Sequence, residues 1–217
     1  MPIAGKGMLL TAMDIDAAHD VDFNRWYDRE HLAERVAIPG FIEARRYIAH
    51  DASLKYLSLY STKTFEVLDS EVYRAALANQ TAWSNASIAR FRNMIRSVGR
   101  ITASRGQGRG VVLGVVRVRN ATPALRDRIK LLLTPELHDG VISMSLIEGD
   151  PALSKSLIEP LAGPGAADWF VLVEGTSIEA IAPVAKNHFD DAVATASARI
   201  VSVGIYTLLF DLAAADL

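Results

Sequence analysis

The sequence predicts an α+β fold in which one six-element unit, β-α-β-β-α-β, is written twice. Three observations carry that prediction. Apolar residues fall into strand-like and helix-like segments whose order repeats after about 100 residues. A glycine-rich stretch, Arg105-Gly-Gln-Gly-Arg-Gly110, separates the two runs. The chain has 217 residues, half of them hydrophobic, so it can bury a core without disulfides or metals.

The first copy begins with a strand over Gly7 to Ile15 and a helix over Asp22 to Ile38. Asp20 or Asp22 is available as its N-cap, and Pro39-Gly40 stops it, since proline cannot continue a helix and glycine permits the turn. Strands follow over Phe41 to His50 and Lys55 to Lys63. In the latter, Tyr56, Ser58 and Tyr60 alternate with Leu57 and Leu59. A helical region from Thr64 to Ile95 is broken near Asn79 to Trp83, and Arg96 to Ser104 closes the unit as a strand. The second copy repeats the order: strand Val111 to Val118, helix Thr122 to about His138 with an early end at Pro135 as the alternative, strands Val141 to Glu148 and Asp168 to Gly175, helix Ser177 to Ala198, strand Arg199 to Leu212. A looser stretch with Pro151, Pro160 and Gly163-Pro-Gly165 interrupts it.

This element order is the split motif of ferredoxin-like folds. Each unit makes a four-stranded antiparallel sheet with helices on one face, and the other face needs a cover. The expectation is two units, 1–107 and 108–217, whose sheets cover each other face to face. An outer face remains through which the whole chain could form a homodimer.

Composition removes several function classes. There is no cysteine, which excludes disulfides, thiol catalysis and cysteine-based zinc or iron–sulfur sites. The net charge of −2 argues against a nucleic-acid partner and against an anionic membrane surface. No apolar run reaches eighteen residues and no signal-type segment is present, so the chain reads as cytoplasmic. No Gly-x-Ser-x-Gly elbow occurs, and 105–110 lacks the Gly-Lys-Ser/Thr ending of a phosphate-binding loop. His19, His50 and His138 show no metal-ligand spacing. The halves differ in charge: residues 1–109 carry 15 basic and 12 acidic groups, residues 110–217 carry 8 and 13. Five of six tyrosines lie in the first half, which places the binding chemistry there.

The first helix is the most informative stretch. At regular helical spacing Phe23, Trp26, Tyr27, Glu30 and Glu34 share a face, with His31 one turn beyond Tyr27. A carboxylate in an aromatic stripe needs a partner, so Glu30 is expected to be buried against Arg45 or Arg46. A histidine near neutrality can take or give a proton, and a tyrosine can donate to an enolate oxygen. A hydrogen bond to a backbone carbonyl would be the structural alternative for His31.

The run Trp26-Tyr27-x-x-Glu30-His31, the turn Ile38-Pro39-Gly40-Phe41, the following Arg45-Arg46-Tyr47, and the second-helix stretch from Tyr73 to Trp83-Ser84 resemble the EthD-like branch of the dimeric α/β-barrel superfamily, here in tandem form. The resemblance covers the first half in motifs and the second half only in element order. It implies a small-molecule ligand in a cleft between sheet and helices, with His31 and Tyr27 as catalytic residues. About 100 residues later stand Asp127 and Leu131, so the pair is absent from the second copy.

Trp26, Glu30, Arg45, Trp83, Arg96 and Arg100 are the candidate substrate-binding residues. Arg96 and Arg100 alternate with Val98 on one strand, and Trp83 either closes the pocket or anchors the helix break. Three functions compete: a cofactor-free proton-transfer enzyme of cyclase, isomerase or monooxygenase type acting on a small aromatic or ketone-bearing compound, a non-catalytic small-molecule-binding or assembly protein, and a haem protein using His188 as axial ligand.

Overall fold

The computed structural model describes residues 2–154 and 166–217. β1 (Gly7–Asp14) is buried along almost its whole length because both of its faces are covered. Leu9 and Met13 face a core under the first-half helices, while Met8, Leu10 and Ala12 face the opposite way, into a second core. β2 (Phe41–Asp51) and β3 (Tyr56–Thr62) follow the same rule, with Ala44 and Tyr60 under the helices and Tyr47, Leu57 and Leu59 opposite.

β4 (Arg92–Gly106) is fifteen residues long, and so is β8 (Arg199–Ala213). Between them come β5 (Val112–Arg119), β6 (Val141–Gly149) and β7 (Trp169–Gly175). The first four strands lie in the order β4-β1-β3-β2 and the last four in the order β8-β5-β7-β6. All pairings are antiparallel, and β2 with β8 and β4 with β6 close the barrel.

The expected face-to-face cover is therefore accompanied by hydrogen-bonded seams. The long strands make this possible. β4 pairs with β1 as far as Arg100, then with β6 from Gly99 onward. β8 passes in the same way from β5 to β2 around Ile205 and Thr207. No edge is left open to pair with another chain among the described strands. Gly99 sits at the handover, where a Cβ would lie 2.6 Å from the Glu148 carbonyl oxygen.

The barrel interior is apolar in the middle, with Leu10, Leu113, Phe170 and Leu172. One end carries a buried ionic cluster: Arg45 reaches Glu43 at 2.8 Å and Glu174 at 2.5 Å, and Ser143 donates to Glu174 at 2.9 Å. Arg109, from the glycine-rich stretch, also binds Glu43.

Helices cover the outside. The predicted break in the second helical region lies where α3 (Glu71–Ala78) gives way to α4 (Ala82–Ile88), and Thr81 caps α4 by accepting from the Ser84 amide. That region ends at Ile88 rather than Ile95, because β4 begins four residues earlier than the alternation suggested. α5 (Pro123–Leu132) stops short of His138, ending ahead of Pro135, and is followed by a 3-10 turn at Pro135–Leu137. The last predicted helix is two, α6 (Ile178–Asn187) and α7 (Asp190–Thr195), parted at His188 and Phe189. The Pro151-to-Gly165 stretch lies largely outside the described residues. Among those described, no helix is long and apolar enough to cross a membrane.

Candidate functional site

The first helix is not regular. α1 (Asp20–Trp26) runs into a π-helical turn at Tyr27–His31 and then α2 (Leu32–Val36). The Leu32 amide donates to the Tyr27 carbonyl, five residues back, so the turn holds one residue more than an α-turn. The insertion rotates everything beyond it. Phe23, Trp26 and Tyr27 are buried before it, and Leu32, Arg35 and Val36 after it. Regular spacing would have sent Glu30 and Glu34 into the aromatic core. The wider turn swings both carboxylates away from the aromatic core, although burial still raises the pKa of Glu34, and turns Arg35 inward instead.

Arg46 fixes this turn to β2. It is almost fully buried, reaches Asp28 Oδ1 at 2.9 Å, bonds Asn24 Oδ1, and lies over the Tyr27 ring at 4.5 Å. Such a desolvated guanidinium on an aromatic face contributes about 2 kcal/mol.

Between the helix and its own sheet lies a cavity of about 120 Å³. Leu9 and Thr11 of β1 and Tyr60 of β3 form its floor; Tyr27, His31 and Arg35 form one wall. Tyr73 and Leu77 of α3, with Ile88, Phe91 and Met94, form the other, and Arg96 of β4 completes it. His31 stacks on Trp26 with centroids 4.2 Å apart and meets the Tyr27 ring edge-on at 5.1 Å. Burial pushes its pKa well below the usual histidine value, and the charges of Arg35 and Arg46 act the same way. The imidazole is therefore neutral at pH 7. It nevertheless retains accessible surface, as a residue lining a pocket does. Its Nδ1 is buried and has no hydrogen-bond partner among the described residues.

Tyr60 Oη and Thr11 Oγ1, on the cavity floor, are also buried without partners among the described residues. Burial, then the nearby Tyr27 hydroxyl, holds the Tyr60 pKa well above the usual tyrosine value.

Of the residues singled out in the sequence, His31, Tyr27 and Arg96 line this cavity. Trp26 stands behind it, donating from Nε1 to Ser84 Oγ at 3.0 Å. Glu30 does not meet Arg45 or Arg46. It accepts from Thr81 Oγ1 at 2.6 Å and Ser84 Oγ at 3.3 Å, at the start of α4, because the π turn carries it sideways. Arg45 points into the barrel, on the opposite face of β2 from the cavity. Trp83 anchors the helix break, with Nε1 3.3 Å from Asp22 Oδ1, and does not line the cavity. Arg100 turns to the outer surface, over the Phe65 ring at 3.7 Å and 3.2 Å from Glu66. Arg35, Tyr60, Tyr73 and Gln80 are cavity residues that the sequence did not single out as site candidates, although Tyr73 opens the second-helix stretch that carries the resemblance. Tyr60 was legible in the alternation of β3, whereas Arg35 depends on the inserted residue.

Haem does not fit these residues. His188 Nε2 is 2.9 Å from the Leu132 carbonyl, and its ring packs on His138 and Phe189 at 4.7 and 4.9 Å. The first-half cavity does not reach it and is far smaller than a cofactor pocket of about 300–1,000 Å³. Among the described residues, no group of three or more histidines and carboxylates is placed to hold a metal ion.

No protein-family profile matches the sequence. No curated protein matches it either. Solved structures do. An anthrone oxidase-like protein superposes with a TM-score of 0.67 at 11% identity, over 99% of this chain and 96% of that one. A heme-binding protein from Thermus thermophilus superposes with a TM-score of 0.54 at 10% identity, over 96% and 92%. At such identities the likeness speaks for the fold. It agrees with the strand order above: a ferredoxin-like, dimeric-α/β-barrel architecture within one chain.

Proposed function

We propose that this chain is a cofactor-free enzyme of the EthD-like branch of the dimeric α/β-barrel superfamily, moving a proton on a small ring-bearing carbonyl compound. The observation that carries the reading is His31: a neutral, deeply placed imidazole on the wall of a largely apolar pocket. The proton on carbon next to the carbonyl passes to an imidazole nitrogen, and the C–H electron pair moves onto the carbonyl oxygen as an enolate. The positive field of Arg35 and Arg46 disfavours a lone imidazolium. It favours an enolate, and enolate and imidazolium then neutralise each other in a low-dielectric site. The unpartnered Tyr60 and Thr11 hydroxyls are donors for the oxygen. Tyr27, edge-on to His31, keeps the ring in place and closes the wall. Return of the proton to another carbon of the conjugated system completes an isomerisation with no oxidant. The shared strand order of the halves supports reading the chain as two fused units, the second covering the first.

The test is hydrogen exchange. Monocyclic ketones in deuterium oxide, followed by proton NMR, should lose their α-proton signals faster with enzyme than in buffer. His31→Gln should slow the enzymatic exchange by about 100-fold or more. Saturable binding of such compounds with no His31-dependent exchange would instead mark a non-catalytic binding protein.

A further inference from the structure

The cavity's charge and size point to its ligand. We infer that it takes a single-ring compound carrying a carboxylate, with Arg35 as the residue that selects the charge. This rests on reading the cavity as the reaction site, but not on any proton transfer there.

Arg35 is only 5% exposed. Its Nη2 is 3.1 Å from Gln80 Oε1, and the nearest carboxylate oxygen, of Glu34, is 3.9 Å from the same nitrogen. Nε and Nη1 are buried with no partner among the described residues. A buried guanidinium with two nitrogens unpaired is costly, and an incoming anion removes that cost. Glu34 is a poor counter-ion: burial, and then repulsion from Glu30, raise its pKa.

The surroundings agree. No aspartate or glutamate lines the cavity among the described residues, while Arg35 and Arg96 both do. Arg96 is engaged, at 2.6 Å from the Leu153 carbonyl and 3.4 Å from Tyr73 Oη, so it contributes field rather than a free donor. The remaining walls are aromatic and aliphatic. A cavity of about 150 Å³ takes one benzene. At about 120 Å³ and open on one side, this one is of the order of a single six-membered ring, and fused tricyclic ligands exceed it.

Calorimetric titration at pH 7 with benzoate and its neutral isostere benzamide tests the charge. Titration with 9-anthracenecarboxylate tests the size. Benzoate should bind at least tenfold more tightly than either. Arg35→Met should abolish the preference over benzamide, and Arg35→Lys should keep part of it. If Arg35→Met does not fold, the wild-type ratio and the lysine variant decide. Equal binding of benzoate and benzamide, no binding of benzoate, unhindered binding of the tricyclic acid, or a preference that survives Arg35→Met would each overturn the inference. Failure of α-proton exchange would leave it standing, since none of these titrations involves a proton transfer.

Discussion

The depressed His31 pKa makes folding stability depend on pH in a way one substitution can isolate. In the unfolded chain the imidazole titrates near its ordinary value of about 6.5. In the folded chain burial, Arg35 and Arg46 hold it well below that. Between the two values the unfolded state binds one more proton than the folded state. Stability is therefore full above about pH 6.5 and falls as the pH drops from there toward the folded value. From pH 7.5 to pH 5.5 the loss is about 1.3 kcal/mol, if the folded group is still neutral at the lower pH. For a chain of this length that is a drop of about 3–5 °C in Tm. The assay is thermal or urea unfolding of wild type and His31→Gln at both pH values, in a buffer without carboxylates, since a carboxylate could occupy the cavity. Other groups titrate as well, including His138, whose pKa burial also lowers. Their contributions are common to both proteins and cancel in the difference. The expected result is that the wild type loses about 1.3 kcal/mol more than the variant on acidification. Parallel curves would refute the argument that His31 is held neutral by burial.

Two stability predictions concern the ion pairs. Glu30→Ala should cost only about 1 kcal/mol in urea unfolding, the worth of bonds from Thr81 and Ser84, and not the roughly 3 kcal/mol of a buried charge losing an arginine partner. Arg45→Met should cost about 3 kcal/mol or more by stranding Glu174 in the barrel, and adding Glu174→Gln should recover at least half of it; a double variant no more stable than the single one would contradict the pairing.

Strand positions and strand order were legible in the sequence because alternation and the β-α-β-β-α-β order are local and repeated. Every strand but β4 was placed within one residue at each end. The seams were not legible. Nothing in the alternation of 96–104 shows that its strand changes partners at Gly99 and Arg100, since a strand reads the same whichever neighbour it pairs with. Within the site, the proximity of Tyr27 and His31 was legible, because residues four apart share a face in a π turn nearly as in an α-helix. The environment of Glu30 was not. A helical wheel assumes an unbroken 3.6-residue period, and one inserted residue moves every later side chain by about 100°. Arg35, inward because of that insertion, was therefore invisible to periodicity, although it supplies the buried charge facing the cavity.

The same insertion explains why the cavity lies over the first half. Over the second half α5 is regular, and Leu125 and Ile129 meet Ile181 and Phe189, all 0% exposed, in a filled core. Leu131, the sequence counterpart of His31, is 79% exposed. A regular helix lays an unbroken apolar stripe on its sheet, and the stripe packs without remainder. A helix with a π turn presents two stripes out of phase, and the seam between them is where large aromatics, a histidine and an arginine meet without interdigitating. The space left at that seam is lined by the very groups the insertion turned inward. On this fold the cavity and its chemistry then have one cause, a single extra residue between Tyr27 and Leu32.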